Sequence, residues 1–258
     1  MGSSRVILQC IQLLKSDFFR ITNNVSDKGG LVKGLWSCCL DASFDFSDIK
    51  WISFSIVVKK CSQSSAANAF TVNCTNNNLY GQPCGSRMDY LFVPKGQQLE
   101  LDCGECALVD GVNTTKELYD TAFKMPKVMK DMTYNIISKA PNMKHELVVI
   151  TGFYIGEDPL KLFVLDCSSK YVTRYDGFNA VSFPTEQAQI TRCMSVILKV
   201  VMGGRLIMEN TRQKLSNDTS DINPGKVNIV DTIPCFVPHI TNPKKRRISQ
   251  ASTSSRFQ

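Results

Sequence analysis

The sequence predicts an α+β fold, β-rich, with a kinked central helix, one amphipathic C-terminal helix and a disordered basic tail. Three observations carry this. Short apolar runs alternate with Gly, Asn, Ser and Pro clusters over 31–110, helix-period stripes occupy 114–138 and the stretch after Pro184, and the last eighteen residues are almost free of large apolar groups. A chain of 258 residues, 43% hydrophobic and 21% charged, is long enough to bury a sizeable core, so disorder is expected only at its ends.

Residues 1–20 read as an amphipathic N-terminal helix, because Ile7, Ile11, Leu14 and Phe18 recur on one helical face. It either docks on the core or serves lipid contact or self-association. A secretory signal is not expected, since Gln9 and Gln12 interrupt the apolar stretch after Arg5 and no small-residue cleavage site follows. Gly2 lacks the Ser or Thr at position six that acylation prefers, which is Val6 here.

Residues 21–112 form a β-rich region. Trp51 to Val58 alternates cleanly, and Phe70 to Cys74, Tyr90 to Val93 and Gln98 to Asp102 read as further strands separated by turns. An α+β region follows over 113–240. Thr114 and Glu117 match a capping box, Leu118, Ala122, Met125 and Met129 continue one face, and Pro126 must kink or split the helix because it has no N–H. Glu146 to Tyr154 and Leu160 to Asp166, joined by Gly156-Glu157-Asp158-Pro159, predict a hairpin. Asp176-Gly177 reads as a turn into a helix striped by Ile190, Met194, Ile197 and Val201 and stopped by Gly203-Gly204. Strands at Arg205 to Met208 and Lys226 to Ile233, around a polar loop at 210–225, complete the expectation.

No catalytic constellation is legible. The chain has two histidines, and neither His145 nor His239 stands in a recognisable catalytic setting; no Walker loop, Rossmann fingerprint, kinase loop or nucleophile elbow is present. Cys167 reads as a strand-end core thiol, not as a partner for His145. The expectation is a protein that is not an enzyme and needs no cofactor. Eleven cysteines, odd in number and irregular in spacing, fit reduced core thiols. The best zinc alternative joins Cys103 and Cys106 to Cys74 and Cys84, but nine residues separate the latter two, where zinc knuckles prefer two to four.

Charge is segregated. Five of the basic residues behind the formal net charge of +7 lie in the disordered basic tail, 241–258. Lys244, Lys245, Arg246 and Arg247, after Pro243, have the form a nuclear import receptor binds, and Ser249 beside them reads as a phosphorylation candidate that would weaken import. A second basic feature is the central helix, where Lys124, Lys127 and Lys130 would meet an anionic membrane surface or, non-specifically, nucleic acid.

Size, charge layout and the tail motif Lys244 to Arg247 together make the chain resemble a matrix protein of a negative-strand RNA virus, the plant nuclear-replicating rhabdoviruses most of all. That resemblance implies a viral structural and assembly protein that self-associates, binds the viral nucleocapsid and an anionic membrane, and distributes between virion, host nucleus and cytoplasm. An alternative rests on two strands closing on Leu165-Asp166, which looks like the pattern of viral cell-to-cell movement proteins and implies binding of single-stranded nucleic acid. A third reading is a zinc-stabilised adaptor using the four cysteines above.

Overall fold

The computed structural model describes Leu8, Ser86 and residues 36–45, 47–53, 88–96, 99–106, 115–140, 143–156, 159–169, 172–184 and 186–218. The fold is α+β, with both helices and a mixed sheet. A short helix α1 (Ser37–Phe44) leads into strands β1 (Ile49–Ser53), β2 (Tyr90–Pro94) and β3 (Asp102–Cys106). Helix α2 (Thr115–Tyr119), a π-helical turn (Asp120–Lys124) and helix α3 (Met125–Lys139) run on without a break. Strands β4 (Val149–Ile155), β5 (Pro159–Ser169), β6 (Val172–Gly177) and β7 (Val181–Ser182) follow, then the long helix α4 (Ile190–Asp218).

The strands form one sheet in the order β1-β2-β3-β4-β5-β6, with β7 also on β5. All pairings are antiparallel except β3 with β4, which run parallel with Cys103 beside Gly152 and Glu105 beside Tyr154. A parallel pair needs a long crossover, and α2–α3 supplies it. The sheet therefore crosses the expected boundary at 113, and residues from both sides share one hydrophobic core.

Helices cover both faces. Gly152 and Phe153 are neighbours on β4 and point to opposite sides. A Cβ at Gly152 would stand 2.8 Å from the Met125 methyl of α3, and one at Gly204 of α4 would stand 2.5 Å from the Phe153 ring. Thus α3 lies on one face and α4 on the other. The α4 face is filled by Phe44, Phe92 and Phe153, whose ring centroids are 5.1 and 5.6 Å apart in succession. Polar clamps tie α1 and the turn after it to α4: Arg205 donates to the Ser43 carbonyl at 2.6 Å, and Ser47 to Glu209 at 2.6 Å.

The hairpin expected around Gly156 is present, with β4 and β5 antiparallel and the Gly156 N–H bonded to the Pro159 carbonyl at 2.7 Å. Ile190, Met194, Ile197 and Val201 form the buried stripe of α4. Several expectations need correction. Gly203-Gly204 does not stop α4, which continues through the expected strand at 205–208 because Met208, Thr211 and Leu215 prolong its buried stripe. Gly204 instead lets the helix backbone approach Phe153. Asp176-Gly177 is the end of β6, not a turn, since sheet pairing opposite Val164 and Phe163 holds it extended. The strand expected at 98–102 is displaced to Asp102–Cys106, and Glu146 lies in a 3-10 turn ahead of β4.

A further correction concerns the central helix. Met125, Val128, Met129, Met132 and Ile136 are buried as a helical stripe should be, yet Leu118 and Ala122, expected on the same face, are exposed. The π turn holds an extra residue relative to an α turn, which slips the phase of everything before it. Glu117 and Asp120 face inward in their place. Pro126 sits in the first turn of α3, where its missing N–H is tolerated. Strands expected at 70–74 and 226–233, most of the helix expected at 1–20, and the tail 241–258 lie outside the described residues.

Candidate functional site

The π turn has two sides. On the inner side, at the carboxyl ends of the parallel pair β3 and β4, four acidic and three basic side chains converge. Glu105 on β3 accepts a hydrogen bond from Lys124 at 2.6 Å and is almost fully buried. Lys116 pairs with Asp120 one turn away, and Lys161 of β5 reaches across to Glu117. Asp89, just ahead of β2, accepts the Cys106 N–H at 2.8 Å. Burial pushes the Glu105 carboxyl up to about 7; the Lys124 charge pulls it down, and Asp89 and Asp120 push it further up. Burial also raises the Tyr154 hydroxyl, with Glu117 and Asp120 adding to the effect. For Lys116, burial acts to lower the pKa, but the hydrogen bond and charge of Asp120 outweigh it and leave it raised.

The outer side is apolar. Leu118, Tyr119 and Phe123 are 54, 59 and 68% exposed, and the Tyr119 and Phe123 rings stack with centroids 6.3 Å apart. The phase slip at the π turn brings Leu118 out beside the two rings. A specific hydrogen bond braces the turn. In the π pattern the Met125 N–H bonds the Asp120 carbonyl, so the next donor in the series is Pro126, which has none. The Thr121 carbonyl it would have served accepts the Tyr175 hydroxyl at 2.7 Å, and Tyr175 is held by stacking on Phe163 at 5.2 Å.

Of the three lysines expected to face an anionic surface, Lys124 is bonded to Glu105 and Lys127 to Asp131 at 2.8 Å. Their positive charge is largely taken up by inward-facing carboxylates. Lys130 stands near Cys167, whose thiol burial raises and Lys130 pulls back down. Of the alternative zinc set, the structure describes two cysteines. Cys103 and Cys106 are three apart on one extended strand and so project to opposite faces of the sheet, where they cannot close on one ion; both are buried. Cys74 and Cys84 lie outside the described residues, among which no group of three or more His, Cys, Asp or Glu is arranged to hold a metal. Lys244, Lys245, Arg246, Arg247 and Ser249 also lie outside them.

Sequence reasoning misses the inner network. Lys116 with Asp120 is visible as an i,i+4 pair. Nothing local marks Glu105 as the partner of Lys124 nineteen residues on, or Glu117 as that of Lys161 forty-four residues on. The outer patch is missed because a regular helical phase carried through Pro126 turns Leu118 inward, away from Tyr119 and Phe123. No family model matches this chain, and no curated protein or solved structure matches it.

Proposed function

We propose that this protein is a non-enzymatic assembly protein of matrix type, whose folded body binds an anionic membrane and a nucleocapsid, and whose Lys244 to Arg247 segment takes it into the nucleus. The observation that carries the reading is the exposed trio Leu118, Tyr119 and Phe123 at the π turn. A contiguous apolar patch with aromatic rings on an otherwise polar helix face is the feature that inserts at a membrane interface or packs on a protein partner. Because Lys124 and Lys127 are paired internally, this patch contributes an apolar, salt-resistant part of binding. The salt-sensitive part falls to Lys130 and the tail. Among the described residues no helix is long and apolar enough to cross a membrane, so the contact proposed for this face is peripheral.

Co-sedimentation with phosphatidylserine vesicles tests this. Phe123→Asp in the full chain should remove most of the binding that survives high salt, whereas alanines at Lys244 to Arg247 should remove the salt-sensitive part. Equal binding by wild type and both variants overturns the proposal.

A second reading is favoured by Glu105 itself. A carboxyl group with a pKa of about 7, hydrogen-bonded to a lysine at the carboxyl ends of parallel strands, is suited to proton transfer on an anionic substrate. In that case Glu105 carries the proton and Lys124 holds the substrate's charge. A turnover on phosphate or carboxylate esters that Glu105→Gln abolishes, with vesicle binding unchanged, would establish this reading in place of the first.

A further inference from the structure

We propose that β6 is the seam of a homodimer, pairing antiparallel with the same strand of a second copy about a two-fold axis through Tyr175. This deepens the assembly reading by naming a self-association surface. Strand β6 ends the sheet, and among the described residues no strand pairs with its outer edge. The Phe178 N–H bonds the Leu162 carbonyl at 2.9 Å, so the backbone groups of the even-numbered residues turn toward β5. Those of Thr173, Tyr175 and Gly177 therefore turn outward, spaced to form a second ladder; in the single chain the Gly177 N–H is bonded to the Asp176 carboxylate at 2.8 Å, a contact that the second strand replaces. Neither Lys nor Pro, the usual guards of an open edge, occurs in the strand.

The side chains single out one register. Val172, Arg174, Asp176 and Phe178 share the face toward α4, and all four are exposed. Centred on Tyr175, an antiparallel copy sets Arg174 opposite the second copy's Asp176, and Val172 opposite its Phe178. Both charges and both exposed apolar groups are thus matched twice, which is what an isologous contact requires. A two-fold moved by one residue, to Arg174, slips the partner strand by two and sets two guanidinium groups against each other. The matching runs outward symmetrically from Tyr175, so the strand is complementary to itself and needs no foreign partner. Beside it lies a groove of about 370 Å³, lined by Val164, Asp166, Arg174, Asp176, Phe178 and Ile207, that the second strand would border. The two-pronged Arg174–Asp166 bond, at 3.0 and 2.6 Å, is part of its lining.

Sedimentation velocity of the full chain at up to about 100 µM tests the seam. Wild type should be a concentration-dependent dimer. Asp176→Arg and Arg174→Asp should each weaken it by about tenfold or more, since each sets like charges opposite one another. An equimolar mixture of the two variants should regain dimers, because arginines on one strand then face aspartates on the other. Circular dichroism would show that both stay folded. A monomeric wild type overturns the seam, as does a mixture no better than its components. Variants that self-associate as tightly as wild type would also overturn it while leaving assembly intact through another surface, and vesicle binding reports on the patch separately.

Discussion

Glu105→Gln should change how stability depends on pH, in a direction fixed by the burial of that carboxyl. In the unfolded chain Glu105 ionises near the ordinary 4.5; in the fold it ionises at about 7. Between those values the folded chain keeps a proton that the unfolded chain has lost. Stability from this group therefore falls as pH rises from about 4.5 to about 7 and is level above that. The gap corresponds to about 3 kcal/mol between the two limits. Glutamine keeps the carbonyl that accepts the Lys124 hydrogen bond and cannot ionise, and Lys124, with its side chain 20% exposed, still reaches water. Urea unfolding of wild type and variant at about pH 5 and about pH 8 measures the effect as a difference. Asp102, fully buried and held far above the carboxylate range by burial, adds a slope of the same sign to both proteins and drops out of the comparison. The variant should gain on wild type by about 2–3 kcal/mol across that interval. A difference that is flat, or that widens in wild type's favour as pH rises, refutes the argument that burial dominates at Glu105.

Gly204→Ala should destabilise by about 1–3 kcal/mol because its Cβ would meet the Phe153 ring, while Gly203→Ala, with open space around it, should stabilise by up to about 1 kcal/mol; thermal unfolding separates the two. Tyr175→Phe should cost about 1–2 kcal/mol by leaving the Thr121 carbonyl without its donor. In a Pro126→Ala background that cost should shrink, since an alanine there has an N–H to offer, and a double-mutant cycle by denaturant unfolding reads the coupling. Alanines at Lys244, Lys245, Arg246 and Arg247 should abolish nuclear accumulation of a fluorescent fusion, and a phosphate mimic at Ser249 should reduce it; unchanged distribution would remove import from the proposed function.

The hairpin β4–β5 and the stripe of α4 are legible because each is set by local pattern: two apolar runs around a Gly-x-x-Pro turn, and a 3.6-residue period from Ile190 onward. The failures share a cause. Gly203-Gly204 and Asp176-Gly177 both have a local preference for ending structure. In the fold, Phe153 beneath one pair and β5 beside the other outweigh that preference, and a helix-interior glycine costs only about 1 kcal/mol relative to alanine. At the candidate site, the interruption at Pro126 is readable, but not its form. Whether a proline ends, bends or π-shifts a helix depends on which outside group takes up the released carbonyl, and that group, Tyr175, is fifty-four residues from Thr121.

The sequence by itself determined the α+β class, the concentration of positive charge at the C-terminus and the elements whose apolar period is regular, since these depend on residues close along the chain. Only the tertiary structure decided that β3 and β4 run parallel, that helices cover both faces of one sheet, and that Glu105 lies buried against Lys124 with an aromatic patch turned outward beside it. The physical reason is that burial and pairing are properties of residues brought together by the chain's closure. A carboxylate's charge state and a glycine's role follow from those neighbours, which no short window of sequence contains.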